Sequence, residues 1–532
     1  MTLLLKGNLN NYGFCLTKKQ CDDTVLKLIR DILTIKPKDE FIVIEKNDTS
    51  TIMFYEDDET MVLPKFFINQ EIKKNFKINN KEYNTIKFEI NKYKYKNEKR
   101  KYDFIGFERR EYQKKITDDI MKIFSAKENK NKPKGGIMKI SCGSGKTFMA
   151  IYIAQLLGLK TLVVVPKNYL IGQWTEEIKS QTTASIGIIK REKVDVKDKD
   201  IVLASMRSLC MREYDQSIFE GFGLVIYDEV HGFTSKVNSN CLLKTSFEYT
   251  IGLSATPENI RGLENVLKYS IGEIIAEYDR KLDFRVIIKK INFRSENPEF
   301  RVKKRKMWNA KKKRSDEISN VPIMINDLML NDERNNLIVK IINYVKSLNR
   351  NIFIFSSRIE HLEILKKKID AKLKEDKEEH IYNTYFYTGE TKQSERDKAS
   401  KDGNILCCSA HLTQEGLNIK NVTTLIYALP FNSTDRYNKQ SSGRIIRSEK
   451  LDKLLDIPMI IDICDLIGNF TKWSQARDEL YEEQNYYQQS FNWIDTNYTY
   501  KYYEDDKKNP MNIMFDDICD EKFIEDKLII KK

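Results

Sequence analysis

The chain has 532 residues, 91 Lys+Arg against 78 Asp+Glu, a net charge of +13 and 41% hydrophobic residues. That length predicts roughly three domains at ~150 residues each, and the hydrophobic share excludes a disordered polymer. No apolar run approaches the ~20 residues of a membrane span, and the start, MTLLLKGNLNNYGF, lacks a basic stretch followed by a long apolar one, so a soluble intracellular protein with no membrane partner is expected. The surplus of Lys and Arg favours a polyanionic partner. Nine Cys without paired CxxC spacing and only four His point to neither a zinc site nor a disulfide framework.

Residues 1–104 alternate short β-type runs with charged turns: FIVIE at 41–45, STIMFY at 50–55 and YNTIKFEI at 83–90. A small α+β accessory domain is expected there. From 105 to 285, helical stretches alternate with the β-branched runs GIMKIS, TLVVVP, IVLAS, GLVIY and YTIGLSAT, which predicts a parallel sheet covered on both faces. Residues 286–325 read as a basic linker or insertion, because RVKKRKMWNAKKKR at 301–314 holds nine Lys/Arg and no acid. That block fits a duplex clamp or a solvated hairpin, and its clusters KKRK and KKKR also fit a nuclear-import signal. The strand-helix alternation recurs over 326–490 at NIFIFSS, TYFYTG, NILCCSA, TTLIYAL and MIIDICD, giving a second lobe. Residues 491–532 turn Tyr-rich and then acidic, a tail expected to serve as an interaction surface or packing strap. The fold class is therefore α/β, with two tandem parallel-sheet lobes, a small N-terminal α+β domain and a C-terminal tail.

Three segments carry chemistry. GIMKIS runs into Cys142, Gly143, Ser144, Gly145, Lys146 and Thr147 and then the helical FMAIYIAQLL. In a strand, Gly-rich turn and helix, backbone N–H groups and the helix N-terminus face a phosphate chain. Lys146 reaches the β- and γ-phosphates and Thr147 binds Mg²⁺ in such a loop, although the strict motif has Gly where this chain has Ile140. Asp228 and Glu229 end the run GLVIY, a position suited to holding Mg²⁺ and to orienting and deprotonating water. His231 in isolation suggests a metal ligand, but beside the acidic pair it reads as coupling the nucleotide to the lobe interface. Gln440, Gly443, Arg444 and Arg447 in QSSGRIIR supply positive charge for a developing negative one, with Arg444 and Arg447 one helical turn apart. A plain basic helix surface is the alternative.

These motifs, in this order, resemble those of superfamily 2 helicases over roughly 105–490. RREYQ resembles the adenine-side Gln element, VVVPKNYLIGQW and ASMRSL the nucleic-acid segments, Ser254-Ala255-Thr256-Pro257 the coupling motif, and SAHLTQEGLNI the motif linking ATP to the strand. The resemblance implies two RecA-like lobes, ATP and Mg²⁺ as cofactors, and an ATPase site of Gln113, Lys146, Asp228, Glu229, Gln440, Arg444 and Arg447. It also implies nucleic-acid contacts at Pro166, Arg207, Ser208, Ser356, Arg358, Thr388, Gly389 and Thr413, each of which equally suits a cap or turn. GLSATP, DEVH and QSSGRIIR are closer to repair, branch-migration and transcript-release helicases than to DEAD-box proteins. LMLNDERNNLI at 328–338 and an Asp-Ile-x-Asp strand preceding an Arg-x-x-x-Tyr helix resemble poxvirus-type transcript-release helicases of large DNA viruses. The expectation is a 3′ to 5′ DNA helicase or translocase in transcription termination or repair, with DNA preferred to RNA. RNA polymerase or transcription factors would dock on the tail, and host cytoplasm, virion or nucleus are the compartments in view. An RNA helicase and a non-unwinding ATP switch on a polymerase are the alternatives.

Overall fold

A computed structural model describes residues 1–37, 50–78, 80–93, 95–126, 132–141, 143–257, 262–278, 286–295, 297–309, 314–409, 423–431, 457–484, 486–496 and 499–501. The chain divides into two compact units, 1–279 and 280–532.

The first unit begins with a six-stranded sheet in the order Tyr55–Glu56, Thr60–Leu63, Gly13–Thr17, Thr2–Asn10, Lys81–Tyr93, Ile72–Ile78, with the helix Asp23–Leu33 packed on it. Asp22 caps that helix by accepting from Thr24 N at 2.9 Å. FIVIE lies outside the described residues, and STIMFY breaks into two short strands, Thr51–Ile52 and Tyr55–Glu56. The apolar residues of this domain do not form a core of their own: Phe14, Met61 and Phe67 join one cluster with Ile137, Val164 and Val225 of the sheet that follows. Lys65, 1% exposed, donates to the carbonyls of Phe247 at 2.5 Å and Glu248 at 3.1 Å, and Phe67 packs edge-on against Tyr269 at 5.0 Å. Docking also starts before 105, since Asn97, Lys99 and Phe104 bridge to Gly221, Leu159 and Thr182.

The second sheet of this unit has eight strands in the order Lys193–Asp195, Ile186–Lys190, Ile201–Ser205, Thr161–Val165, Leu224–Tyr227, Tyr249–Ser254, Lys134–Ile140, Ile274–Tyr278. Among its pairings only that of the edge strand Lys193–Asp195 is antiparallel. Leu162 and Val164 face one apolar cluster and Val163 and Val165 the other, so both faces are buried and the strands read as unbroken apolar runs.

The second unit carries another eight-stranded sheet, ordered Thr384–Tyr387, Ile405–Ser409, Ile352–Ser356, Thr424–Tyr427, Met459–Asp465, Ile287–Ser295, Tyr487–Thr496, Thr499–Lys501. Two assignments from sequence change here. Ile287–Ser295, expected in the linker, lies inside the sheet, parallel to both Met459–Asp465 and Tyr487–Thr496. Its Lys289 and Lys290 hide the apolar period, yet Lys289 is fully buried and bonds Gln489, while Lys290 pairs with Asp478. The tail boundary at 491 falls within a strand, where Trp493 is buried against Ile287 and Ile291 in a single cluster. Residues 502–532, the acidic tail, lie outside the described residues. The α/β class with two parallel-sheet lobes is as expected from the alternation of runs. Among the described residues, no helix is long and apolar enough to cross a membrane.

Candidate active site

The strand Lys134–Ile140 turns through 141–145 into the helix Lys146–Leu157. Gly143 and Gly145 have φ of +78° and +80°, a left-handed region that glycine enters without steric cost. A Cβ on Gly145 would also lie 2.5 Å from Gln113 Nε2. A glycine turn entering a helix N-terminus cradles phosphate through backbone N–H groups. Ile140 is the fully buried last residue of the strand, so its departure from the strict motif falls in the core and leaves the glycine turn intact. Lys146 Nζ donates to Ile140 O at 3.2 Å.

The loop is braced from two sides. Ser144 O accepts from Tyr112 Oη at 3.0 Å and Gln113 Nε2 at 3.3 Å, and Gln113 Oε1 accepts from Arg110 N at 3.0 Å. The Tyr112 ring stacks on Tyr278 at 4.2 Å with 4° between planes, and Tyr278 O accepts from Ser141 N at 3.0 Å. Tyr278 ends the last strand of the sheet, and its part in the loop left no local signal in the sequence.

Asp228 and Glu229 follow the central strand Leu224–Tyr227 at its carboxyl end, where open parallel sheets present ligands. Each is 7% exposed. Burial first, and then the Glu229 charge, raise the Asp228 carboxyl to about 6, against the opposing effects of Trp174 and Lys146. Trp174 Nε1 donates to Asp228 Oδ2 at 2.9 Å and so fixes that carboxylate from the middle of the helix Asn168–Gln181, in a segment that resembled a nucleic-acid contact. Glu229 sits at φ +49°, an unusual conformation for a residue with a side chain that costs on the order of 1 kcal/mol. The turn aims its carboxylate toward His231, whose Nδ1 lies 3.3 Å from Glu229 Oε2 and 3.4 Å from Ser254 Oγ. Ser254 Oγ accepts in turn from Thr256 N at 3.1 Å. The DEVH and SATP segments therefore touch through His231, which serves here as a connector between the two.

Within these two segments, the buried Glu229 Oε2, which lies 3.3 Å from His231 Nδ1, and the buried Thr256 Oγ1 have no hydrogen-bond partner among the described residues. Buried oxygens of this kind call for water or a cation. Among the described residues no cluster of three or more His, Cys, Asp or Glu is present to cage a metal. Two adjacent carboxylates plus the Thr147 hydroxyl suit Mg²⁺, which takes one or two carboxylates and completes its shell with phosphate oxygens and water. The residues present fit ATP with Mg²⁺.

Cys142, Thr413, Gln440, Arg444 and Arg447 lie outside the described residues. Of the residues expected at nucleic acid, Ser208 Oγ accepts from Arg191 N at 2.9 Å, Ser356 Oγ accepts from Arg358 N at 3.1 Å, and Thr388 Oγ1 bonds Thr391 Oγ1 at 3.1 Å. All three are buried, and each hydroxyl is engaged in an internal hydrogen bond. Arg207 and Gly389 are exposed, and Pro166 and Arg358 half-buried.

The residues that resembled transcript-release helicases form buried ion pairs in the second unit. Arg334 grips Asp465 with two bonds of 2.7 and 2.9 Å and donates to Ala428 O at 2.5 Å. Arg477 grips Asp462 in the same way at 2.7 and 2.9 Å, donates to Phe431 O at 3.1 Å, and shares Asp462 with Tyr481 Oη at 3.1 Å. The chain is thus pinned at 428 and 431 on its way out of the strand Thr424–Tyr427.

Residues 106–259 match the model of the type III restriction enzyme res subunit, and residues 333–449 match the helicase conserved C-terminal domain. An Acanthamoeba polyphaga mimivirus protein named "Putative ATP-dependent RNA helicase" is 28% identical over 91% of this chain and 86% of its own length. A DNA 3′-5′ translocase of Sulfurisphaera tokodaii is 33% identical over 27% of this chain and 32% of its own. Among solved structures, a fragment of a "putative HsdR subunit of a type I restriction enzyme" from Vibrio vulnificus aligns with TM-score 0.50 and 17% identity, over 74% of this chain and 70% of that one. With the restriction-enzyme and helicase segments in order on two RecA-like parallel-sheet lobes, the chain is a superfamily 2 helicase, a nucleic-acid-dependent ATPase.

Proposed function

We propose that this helicase is a DNA motor that moves 3′ to 5′ on ATP hydrolysis and acts in transcript release or repair. The observation that carries the motor reading is the contact chain Glu229, His231, Ser254 and Thr256, which joins the acidic pair to a second loop of the same sheet edge. Such a connector lets the state of the nucleotide reach a segment that resembles a coupling motif. In this reading the cradle at 143–147 binds the phosphates, with Lys146 on the β- and γ-groups and Tyr112 and Gln113 holding the cradle through Ser144 O. Mg²⁺ supplies charge neutralisation on the phosphate oxygens. Asp228, oriented by Trp174, and Thr147 would hold it, and Glu229 would take a proton from the attacking water. By resemblance, Gln440, Arg444 and Arg447 stabilise the charge that develops as the phosphoryl group transfers.

Similarity to the Sulfurisphaera tokodaii DNA translocase and to a restriction-enzyme subunit supports DNA as the track. The name of the mimivirus relative favours RNA as a second reading. ATPase rates with single-stranded DNA, duplex DNA and RNA homopolymers discriminate: the leading reading expects DNA to stimulate most, and stimulation by RNA alone overturns it. Lys146→Ala should abolish stimulated turnover, and retained turnover would show that the phosphate site is elsewhere. Transcript release implies docking on a polymerase, for which the acidic tail is the proposed contact.

A further inference from the structure

The strands Lys304–Asn309 and Arg314–Ser319 form an antiparallel ribbon that pairs with no other strand among the described residues. Its root is fixed. Asn320 N donates to Lys303 O at 2.7 Å, Ser319 Oγ to Asn469 Oδ1 at 3.1 Å, and Val302 lies against Gly468, above the apolar cluster of Met324, Leu328, Leu429 and Phe470. Beyond the root, none of the described side chains at 304–306 and 314–319 is buried. A two-stranded ribbon contributes little stability by itself, so a ribbon held out in solvent on a firm base calls for a reason.

Its charge gives one. The described ribbon and its root carry Arg301, Lys303, Lys304, Arg305, Lys306 and Arg314 against only Asp316 and Glu317. Lys303 pairs with Glu299, Lys304 with Glu317 and Arg314 with Asp316, whereas Arg301, Arg305 and Lys306 make no ion pair among the described residues. Protection of a sheet edge needs only a charge or two of either sign, and an excess of one sign is more than that role requires. A two-stranded β-ribbon is also one of the two elements that the major groove of a duplex admits.

We infer that this ribbon is a separate nucleic-acid contact that grips the phosphates of a duplex without reading sequence. The inference rests on the motor reading, yet it concerns a surface that no motif of the ATPase includes. The test uses the full chain with Arg305→Ser, Lys306→Ser and Arg314→Ser combined, and a control with Arg305→Lys, Lys306→Arg and Arg314→Lys. Binding to a 24-base-pair duplex and to a single-stranded oligonucleotide is measured by fluorescence anisotropy without ATP over a salt series. Each lost phosphate contact lowers the slope of log affinity against log salt by about 0.9 on a duplex, so the triple Ser variant should lose about 2 to 3 from the duplex slope. Duplex affinity at low salt should fall tenfold or more, single-strand affinity and single-strand-stimulated ATPase should stay unchanged, and the charge-keeping control should match the natural chain. An unchanged duplex slope overturns the inference, as does an equal loss on single strand and duplex. Competition by polyglutamate as effective as competition by duplex, at equal charge, overturns it in favour of an acidic protein partner. Failure of the motor reading looks different: no nucleic acid stimulates the ATPase of the natural chain, while the duplex titration still reports on the ribbon.

Discussion

At the scale of single residues, the site depends on side chains held in costly states. Glu229 occupies a left-handed backbone conformation with one carboxylate oxygen buried and without a hydrogen bond. That conformation sets the carboxylate against His231 and leaves a buried acceptor oxygen open to a water. Glu229→Gln should keep nucleotide binding and lower turnover by about 100-fold or more, as removal of a positioned general base does. Fluorescent-nucleotide titration and steady-state ATPase assays together check this, and near-normal turnover would remove Glu229 from the role of base. A second residue titrates away from the site. His361 is buried, its Nε2 bonding Asn335 Oδ1 at 2.8 Å and its Nδ1 bonding Ser356 Oγ at 3.2 Å. Burial, helped by the Arg334 charge, lowers it to about 3. An unfolded histidine protonates near 6.5, so between about pH 6.5 and 3 the unfolded chain binds the extra proton. Stability is therefore lost as pH falls through that window, by at most about 1.4 kcal/mol per unit. Melting temperatures of the natural chain and of His361→Gln, taken from pH 7.5 to 5, should diverge in slope, with the variant flatter.

At the scale of elements, the parallel strands of both lobes were legible because burial on two faces leaves nearly unbroken apolar runs such as TLVVV and IFIFS. The glycine turn and the acidic pair were legible for a related reason: their chemistry needs particular residue types next to each other in sequence. What remained hidden is contact between distant segments. Trp174 to Asp228, and Tyr278 to Tyr112, span separations over which no local pattern acts. Ile287–Ser295 falls in the expected linker because the basic block at 301–314 set that reading, whereas in the structure its Lys289 finds Gln489 and lies over the Phe491 ring at 5.5 Å. The resemblance marks at Arg334, Asp462, Asp465 and Arg477 proved to be struts. Breaking such a buried pair from one side leaves a stranded charge, while apolar replacement of both members is often tolerated. Arg477→Met alone should therefore destabilise the second unit by about 3 to 5 kcal/mol, and Arg477→Met with Asp462→Leu should recover most of that loss. Thermal denaturation of the two variants tests the strut, and equal losses would contradict it.

At the scale of the whole molecule, the two units divide the proposed chemistry between them. Residues 1–279 contain the cradle, the acidic pair and an accessory domain whose core is continuous with the first parallel sheet. Arg444 and Arg447 belong to the sequence of the second. A fragment of 1–279 is expected to fold, bind ATP and show no hydrolysis stimulated by nucleic acid. Calorimetric nucleotide binding alongside an ATPase assay checks this, and stimulated hydrolysis by the fragment would assign the whole reaction to one unit.

The strand Ile287–Ser295 enters the second sheet first and lies between its last long partners, Met459–Asp465 and Tyr487–Thr496. During synthesis the first unit can close as soon as Tyr278 has emerged, since domains fold as units from the N-terminus onward. The second unit has no such freedom: its opening strand waits, unpaired and apolar, until nearly the whole chain has been made. A growing chain thus completes its first unit early and its second sheet last, and a chain that stops before residue 459 carries a strand whose parallel partners have not yet been made.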